Sequence, residues 1–379
     1  MTRENTEKRK PLVTMKQEPA KVEKEHSKHH VEDGGSGESS TKPGKMVNGK
    51  QKRIPKLATV ESEVLQSIVG QDEQVRKIIT AVYRSIHFPS IKSNVLIIGN
   101  SGTGKTATIK EIAKQLHIPY TIEDATKYTQ EGYEGNNVED MIFNLLENAN
   151  RDIEKAQQGM IIIDEIDKKA ASGERLDVSG VEVLKSLLKM IEGTTIKIPD
   201  LDDMYSDTMY DFDTSHLIII FMGAFPGLDK IRNKRLGRAN VGFTAVAENT
   251  KQQEKYTKQD LVQYGMTEEF VGRIDTIVEM NKLTKQDLVK ILTGSKLSIF
   301  GRYEKELKKR GITIFYPEDI FEHIAEASMS LDTGARELSN TVNYMFENIL
   351  YEVFKYPQTY TKCTLSADIV ADNTQYTLS

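Results

Sequence analysis

The chain has 379 residues, a formal net charge of −5 and 38% apolar residues, enough for more than one domain with a buried core. Its single cysteine, Cys363, excludes internal disulfides and cysteine-rich zinc modules, and fits a reducing, cytoplasmic setting. The longest apolar run, residues 217–225, is too short to cross a membrane, and the charged N-terminus does not resemble a secretory signal.

Residues 1–57 carry 14 Lys or Arg against 8 Asp or Glu, and they contain no Phe, Tyr or Trp. Because this segment cannot bury enough apolar surface to offset its ordering entropy, we predict a disordered basic tail. His26, His29 and His30 lack a fixed metal-binding geometry, so a solvated tail is the better interpretation. Contact with nucleic acid or an acidic partner stays open.

Beyond the tail, short runs of Ile, Leu and Val alternate with segments of helical periodicity. The predicted helices are 64–86, interrupted at Gly70, then 106–116 and 181–191. The predicted strands are 94–98, 120–122, 160–163 and 217–222. Continuous apolar strands separated by helices indicate an α/β fold with a parallel sheet covered on both faces.

The pattern changes near residue 282, after which helical segments dominate. Two further strands are predicted, at 312–316 and 363–365. We therefore predict a tail at 1–57, a large α/β domain at 58–281 and a smaller α-rich domain at 282–379.

A phosphate-binding loop follows the first predicted strand, where residues 99–106 read GNSGTGKT and match G-x-x-x-x-G-K-[ST] in full. In this motif backbone N–H groups surround the phosphates, Lys105 reaches the β- and γ-phosphates, and Thr106 can bind Mg²⁺. The glycines and Ala107 also mimic a dinucleotide fingerprint, but the adjacent Lys and Thr favour ATP. The residues predicted to hold ATP here are Gly99, Asn100, Ser101, Gly102, Thr103, Gly104, Lys105, Thr106 and Ala107.

Two acidic residues follow the predicted strand at 160–163. Because the carboxyl ends of parallel strands face the ligand crevice, we expect Asp164 and Glu165 beside the phosphate loop. Asp164 suits the Mg²⁺ shell, and Glu165 is placed to polarise the attacking water. For Asp167, capping of the next helix is an alternative interpretation. Together the two motifs predict an ATPase.

Several further segments accompany these motifs: Ile68-Val69-Gly70-Gln71, DEIDK at 164–168, DVSG at 177–180, LLKMIEGT at 187–194, GAF at 223–225 and GLDK at 227–230. With them, residues 68–343 resemble the AAA+ ATPases, and within that group the ClpX-type unfoldases of the Clp protease. The resemblance implies an AAA+ large domain followed by an AAA+ lid domain. It also places Ile68 and Val69 on the adenine side of the nucleotide.

The resemblance assigns two arginines. Arg273, at the end of EFVGR, matches the family's arginine finger and would contact the γ-phosphate bound by a neighbouring subunit. Arg336, in TGAR, matches the second sensor and would touch the nucleotide of its own subunit. Because a finger acting between subunits needs a ring, the resemblance implies a homohexamer whose nucleotide state rotates the small domain against the large one. After the strand at 217–222, no polar side chain stands at the usual first-sensor position.

The segment EGYEGNN at 131–137 places an aromatic residue between glycines. At this position ClpX-type proteins carry a loop whose aromatic and aliphatic residues grip a polypeptide in a central pore, so we expect Tyr133 and Glu134 to contact substrate. From the loop alone, a tyrosine folded onto its own surface is an equal alternative. Glu134 departs from the aliphatic residue of the family.

A second departure lies in residues 199–215, which hold six aspartates and no Lys or Arg where the family has basic substrate-selecting loops. We expect an acidic pore mouth that prefers basic polypeptides and handles the family's usual degradation tag poorly. A solvated surface excursion is the alternative.

Val241-Gly242-Phe243 lies at almost the spacing of the family's loop that docks on the ClpP peptidase. An exposed apolar triplet in a polar segment suits docking, although a small buried anchor has the same pattern. The family's zinc domain needs four cysteines, so adaptors that use that domain are not expected to bind this chain.

The predicted function is therefore an ATP-dependent unfoldase that threads polypeptides, with a ClpP-type peptidase as the expected partner. The alternative is a peptidase-independent remodeller of protein or protein–DNA complexes. A third possibility is a scaffold that seldom hydrolyses ATP, against which Glu165 and Arg273 argue.

Overall fold

The computed structural model describes residues 54–128, 137–170, 178–199, 209–237, 255–329 and 334–379. The chain divides into two units, Met1–Lys52 and Arg53–Ser379, and all described residues belong to the second. The predicted tail up to residue 53 and the segments that contain Tyr133, Glu134 and Val241-Gly242-Phe243 lie outside the described residues.

The elements that precede residue 280 are a mixture of helices and strands. In chain order they are α1 Leu57–Leu65, α2 Asp72–His87, β1 Val95–Ile98, α3 Lys105–Leu116, β2 Tyr120–Asp124, α4 Asp140–Asn148, α5 Ile153–Gln157, β3 Met160–Asp164, α6 Val178–Glu192, β4 Thr195–Pro199, β5 Met209–Asp213, β6 Ile218–Gly223, α7 Leu228–Arg235, α8 Lys258–Tyr264, α9 Glu268–Gly272 and β7 Thr276–Glu279.

Five of these strands form one parallel sheet in the order β2-β3-β6-β1-β7. Alternate residues of a strand point to opposite faces, so each apolar strand contributes to two cores. Val95 and Ile97 of β1 join a cluster with α1, α2 and α3, whereas Leu96 and Ile98 join a cluster with α4 and α6. The predicted α/β fold with a parallel sheet covered on both faces is confirmed.

The residues after 280 form a smaller, mostly helical part with its own core. Its elements are α10 Lys285–Thr293, α11 Ile299–Lys309, β8 Thr313–Phe315, α12 Ile320–Met329, α13 Ala335–Lys355, β9 Lys362–Leu365 and β10 Tyr376–Leu378. Phe300 lies at the centre of this core, with its ring 5.2, 5.0 and 5.5 Å from those of Tyr316, Phe321 and Phe346. The predicted smaller α-rich domain is therefore also confirmed.

Four of the strands, β4, β5, β7 and β10, were not predicted from the sequence. β7 completes the large sheet, β10 pairs with β9, and the acidic residues 209–213 form β5, which pairs antiparallel with β4. Phe212 of β5 is fully buried, whereas its neighbours Tyr210 and Asp211 are exposed. This part of the Asp-rich segment is thus the second strand of a hairpin, and residues 200–208 lie outside the described residues.

None of the helices in the described ranges combines the length and the apolar character that crossing a bilayer requires.

Candidate nucleotide site

The phosphate loop occupies the turn between β1 and α3. Gly102 and Gly104 have φ angles of 78° and 92°, a region that favours glycine because a Cβ would be strained there. The Gly99 N–H donates to the carbonyl of Gly223 at 3.1 Å, which joins the start of the loop to the end of β6. The loop therefore presents backbone N–H groups at the N-terminus of α3, an arrangement suited to phosphate.

Lys105 lies within this loop, and its ammonium group donates to the carbonyls of Gly99 and Asn100, the latter at 3.1 Å. Burial lowers the pKa of Lys105, and the negative charges of Asp164 and Asp167 only partly oppose that effect. The ammonium thus lies in the loop expected to hold phosphates, with carboxylates close enough to influence its charge.

The structure brings Asp164 and Thr106 together. The Thr106 hydroxyl donates to Oδ2 of Asp164 at 3.4 Å, and the Glu165 N–H donates to Oδ1 at 2.9 Å. Hydroxyl and carboxylate oxygens are ligands that Mg²⁺ prefers, so these residues fit that ion.

Glu165 follows at the end of β3 with an exposed side chain and a φ of 57°. A left-handed conformation at a non-glycine residue costs on the order of 1 kcal/mol and concentrates at functional sites. The geometry thus presents this carboxylate to solvent next to Asp164.

Asp167 has a role that the sequence does not predict. Its buried carboxylate accepts hydrogen bonds from the backbone N–H groups of Ala224 and Phe225, both at 3.3 Å. A Cβ on Gly223 would lie only 2.6 Å from Oδ1 of Asp167, so only glycine fits there. Asp167 therefore connects the turn after β3 to the turn after β6 instead of capping a helix. The one sequence feature that could have indicated this role is the position of Asp167, an acidic residue three positions after Asp164.

Arg336 lies in the first turn of α13, and the structure brings this turn to the phosphate loop. The Ala335 N–H donates to the carbonyl of Gly102 at 3.1 Å. The positive charge of Arg336 acts on Lys105 and contributes to its lowered pKa. The exposed guanidinium is thus close to the loop, as expected for a residue that touches the nucleotide of its own subunit.

Arg273 lies elsewhere, directly after α9, where its exposed guanidinium forms an ion pair with Glu192 of α6. It borders a cleft of about 560 Å³, and the described lining of this cleft contains no phosphate-loop residue. The lining residues are Lys185, Leu188, Lys189, Glu192, Glu269, Gly272 and Arg273. Arg273 is therefore not part of the phosphate site that its own chain forms.

Ile68 and Val69 lie in the break between α1 and α2, with Ile68 buried and Val69 half-buried. Gln71, two residues on, donates a side-chain hydrogen bond to the carbonyl of Thr103 at 3.2 Å. The segment predicted for the adenine side is thus in direct contact with the phosphate loop, through a glutamine that was not predicted as a site residue.

Two family models match the chain. The model for the AAA domain (Cdc48 subfamily) matches residues 90–277, and the model for the C-terminal, D2-small domain of ClpB protein matches residues 283–358. The fold, the phosphate loop and the acidic turn agree with these matches. The chain is an ATP-binding ATPase of the AAA class.

Curated relatives show to which family within the AAA class the chain belongs. The protein named ATP-dependent Clp protease ATP-binding subunit ClpX from Treponema denticola is 34% identical over 79% of this chain and 77% of the relative. Proteins of the same name from Borrelia duttonii and Bacteroides thetaiotaomicron are 34% and 32% identical, over 83% and 80% of this chain and 78% of each relative. The chain belongs to the ClpX family of AAA ATPases.

We expect Lys105→Ala to lower ATP hydrolysis by on the order of 100-fold, because the loop loses the cation that reaches the phosphates. Lys110→Ala, at an exposed position of α3, is the matched control and should keep the parent rate. Steady-state hydrolysis and binding of a fluorescent ATP analogue measure both variants. Parent-like hydrolysis by Lys105→Ala would contradict the assignment.

Proposed function

We propose that this chain forms a homohexamer that uses ATP hydrolysis to unfold polypeptides and thread them through a central pore, for degradation by a ClpP-type peptidase. The observation that carries the proposal is the separation of Arg273 from the phosphate loop of its own chain. A second arginine that stabilises the charge developing on the γ-phosphate accelerates hydrolysis, and a neighbouring subunit in a ring can supply Arg273 for this role. The similarity to ClpX across about four fifths of the chain supports the same assembly.

In the proposed cycle, the phosphate loop and Arg336 hold ATP in one subunit. Glu165 accepts a proton from the water that attacks the γ-phosphate, because its carboxylate is exposed beside the loop. Arg273 of a neighbouring subunit stabilises the charge that develops on the transferred phosphoryl group. Thr106 and Asp164 would hold Mg²⁺, which neutralises phosphate charge when bound.

The described residues that precede the segment proposed to grip substrate end at Tyr128, in contact with the acidic turn. β2 is followed by Tyr128, whose carbonyl accepts a hydrogen bond from Lys169 at 2.8 Å. Lys169 ends the 3-10 helix Ile166–Lys169, which follows Glu165 directly. This contact supports a link between hydrolysis at Glu165 and the loop that carries Tyr133.

The described residues on either side of the segment proposed to dock on the peptidase are joined by hydrogen bonds. Arg235, at the end of α7, donates to the carbonyl of Lys255 at 2.9 Å and to Asp260 of α8 at 2.8 Å. Burial would raise the pKa of Asp260, but its hydrogen bonds with Arg235 and Thr257 outweigh this and leave the pKa lowered. Residues on both sides of Val241-Gly242-Phe243 are thus joined, which supports a loop with a fixed base.

We expect Glu165→Gln to lower the rate of ATP hydrolysis by about 100-fold or more while ATP binding persists, because the amide cannot accept the proton. Rings of this variant should retain bound polypeptides, which mass spectrometry then identifies. Glu322→Gln, an exposed position in α12, is the control. A parent-like hydrolysis rate for Glu165→Gln would show that another group is the base.

We expect the parent chain to bind ClpP in the presence of ATP, and Phe243→Ala to lose most of this binding because the docking side chain is truncated. Phe315→Ala, at an exposed position of β8, controls for general loss of apolar surface. Co-precipitation and thermal unfolding measure both. A parent chain that unfolds substrates but ignores ClpP would support the peptidase-independent remodeller instead.

We expect a reporter protein with a basic tail to be unfolded several-fold faster than the same reporter with the family's degradation tag, because Glu134 and the aspartates attract positive charge. Raised salt should reduce the difference, since exposed charges are screened. Tyr133→Ala should slow the unfolding of both reporters, and Glu134→Val should reduce the preference for the basic tail. Equal turnover of the two reporters at low salt would refute the charge preference.

A further inference from the structure

Two carbonyl groups of the phosphate loop accept hydrogen bonds from residues outside the loop. The carbonyl of Gly102 accepts from the Ala335 N–H at 3.1 Å, and the carbonyl of Thr103 accepts from the side chain of Gln71 at 3.2 Å. Ala335 begins a helix of the C-terminal domain, and Gln71 precedes α2. Two consecutive residues of the loop are therefore bonded to groups that lie outside β1 and α3.

Gln71 is only 1% exposed, and its side-chain amide bridges two backbone segments. Its two amide hydrogens donate to the carbonyls of Thr103 and Asn281, the latter at 2.9 Å, while its oxygen accepts from the Asn281 N–H at 2.9 Å. Both N–H donors of the amide are used, and the oxygen faces a donor, so the orientation of the group is determined. A displacement of either segment has to stretch or break these bonds.

Asn281 belongs to the connector between the two domains. It follows β7 by two residues, and α10, the first helix of the C-terminal domain, begins at Lys285. The Asn281 side chain donates to the carbonyl of Gly70 at 2.9 Å. Gly70 in turn lies so close to α10 that a Cβ on it would be 3.0 Å from Cγ of Asp287. The connector and the start of α10 are thus packed against the residues that flank Gln71.

We infer that Gln71 is a positioning residue that couples the conformation of the phosphate loop to the orientation of the C-terminal domain. When nucleotide changes the loop, the Thr103 carbonyl moves, and Gln71 transmits this movement to the backbone of Asn281. The inference needs ATP binding but does not depend on protein unfolding or on a peptidase.

Gln74, in the first turn of α2, provides a matched control. It is 7% exposed and donates to the carbonyl of Glu279 at 3.1 Å and to Oδ1 of Asn281 at 2.9 Å. It therefore binds the connector as Gln71 does, whereas its side-chain hydrogen bonds go to Glu279 and Asn281 and not to the phosphate loop. If Gln71 only anchors the connector, substitutions at Gln71 and at Gln74 should have the same effect.

The test measures energy transfer between dyes on the full chain at Lys110→Cys in α3 and Lys308→Cys in α11, both exposed positions. Cys363 is buried and stays unlabelled under native conditions. The labelled chain is mixed with excess unlabelled chain, so that transfer within one subunit is recorded with and without a slowly hydrolysed ATP analogue. The variants are Gln71→Leu, Gln71→Glu and Gln74→Leu.

We expect both Gln71 variants to lose about half or more of the nucleotide-dependent change in transfer, while their affinity for the analogue stays within about threefold of the parent. Gln74→Leu should keep the parent's change. Gln71→Glu is informative because it keeps the acceptor for the Asn281 N–H and loses both amide donor bonds, those to the carbonyls of Thr103 and Asn281. Thermal unfolding shows whether each variant folds. If Gln71→Leu does not fold, Gln71→Glu shows whether the change in energy transfer depends on Gln71.

The inference is overturned if the Gln71 variants respond to nucleotide as the parent does, if Gln74→Leu loses the response equally, or if the parent itself shows no response. A chain that fails to unfold proteins but shows the Gln71-dependent response would contradict the proposed function and leave this inference standing.

Discussion

The nucleotide site depends on the alignment of β3, β6 and β1 in one parallel sheet. Parallel pairing places Ile98 of β1 opposite Gly223 of β6, so the turns that follow these strands lie side by side. The Gly99 N–H binds the Gly223 carbonyl from one side, and Asp167 binds the Ala224 N–H from the other. The end of β6 thus joins the phosphate loop to the acidic turn through backbone groups. This explains how the chain can lack a polar side chain at the end of β6 and still connect the two motifs.

The parts of the fold that could be predicted are those in which neighbouring residues carry the signal. Continuous apolar runs identified β1, β3 and β6, because a strand buried on both faces needs no polar alternation. Glycines with a following Lys-Thr pair identified the phosphate loop, and the end of β3 located Asp164.

The parts that could not be predicted depend on partners far along the chain. β7 is only four residues long and ends in an acid, and the apolar Phe212 of β5 stands between aspartates. Asp167 binds N–H groups 57 and 58 residues away, and Gln71 binds the backbone of Asn281, 210 residues away. The packed sheet creates these contacts, and the local sequence holds no pattern for them.

The phosphate loop is connected to the C-terminal domain directly at Gly102 and through Gln71 at Thr103, and these contacts have a magnitude that suits regulation. A hydrogen bond contributes about 1 kcal/mol to stability, so the bonds of Gly102 and Thr103 together represent about 2 kcal/mol. Coupling free energies between sites are typically about 1 to 3 kcal/mol. A much stronger attachment would fix the C-terminal domain in one orientation, whereas no attachment would leave it insensitive to nucleotide. The observed contacts lie between these limits.

The same reasoning applies to the ion pair of Arg273 and Glu192. Their side chains are 54% and 47% exposed, and an exposed pair of this kind contributes at most about 1 kcal/mol. An arginine finger accelerates phosphoryl transfer about 10³- to 10⁵-fold, which corresponds to about 4 to 7 kcal/mol. In the proposed ring, an ion pair of this strength would therefore not keep Arg273 from the γ-phosphate bound by a neighbouring subunit. Since the proposed finger acts on the transition state, breaking the ion pair would cancel only a small part of its contribution to the rate.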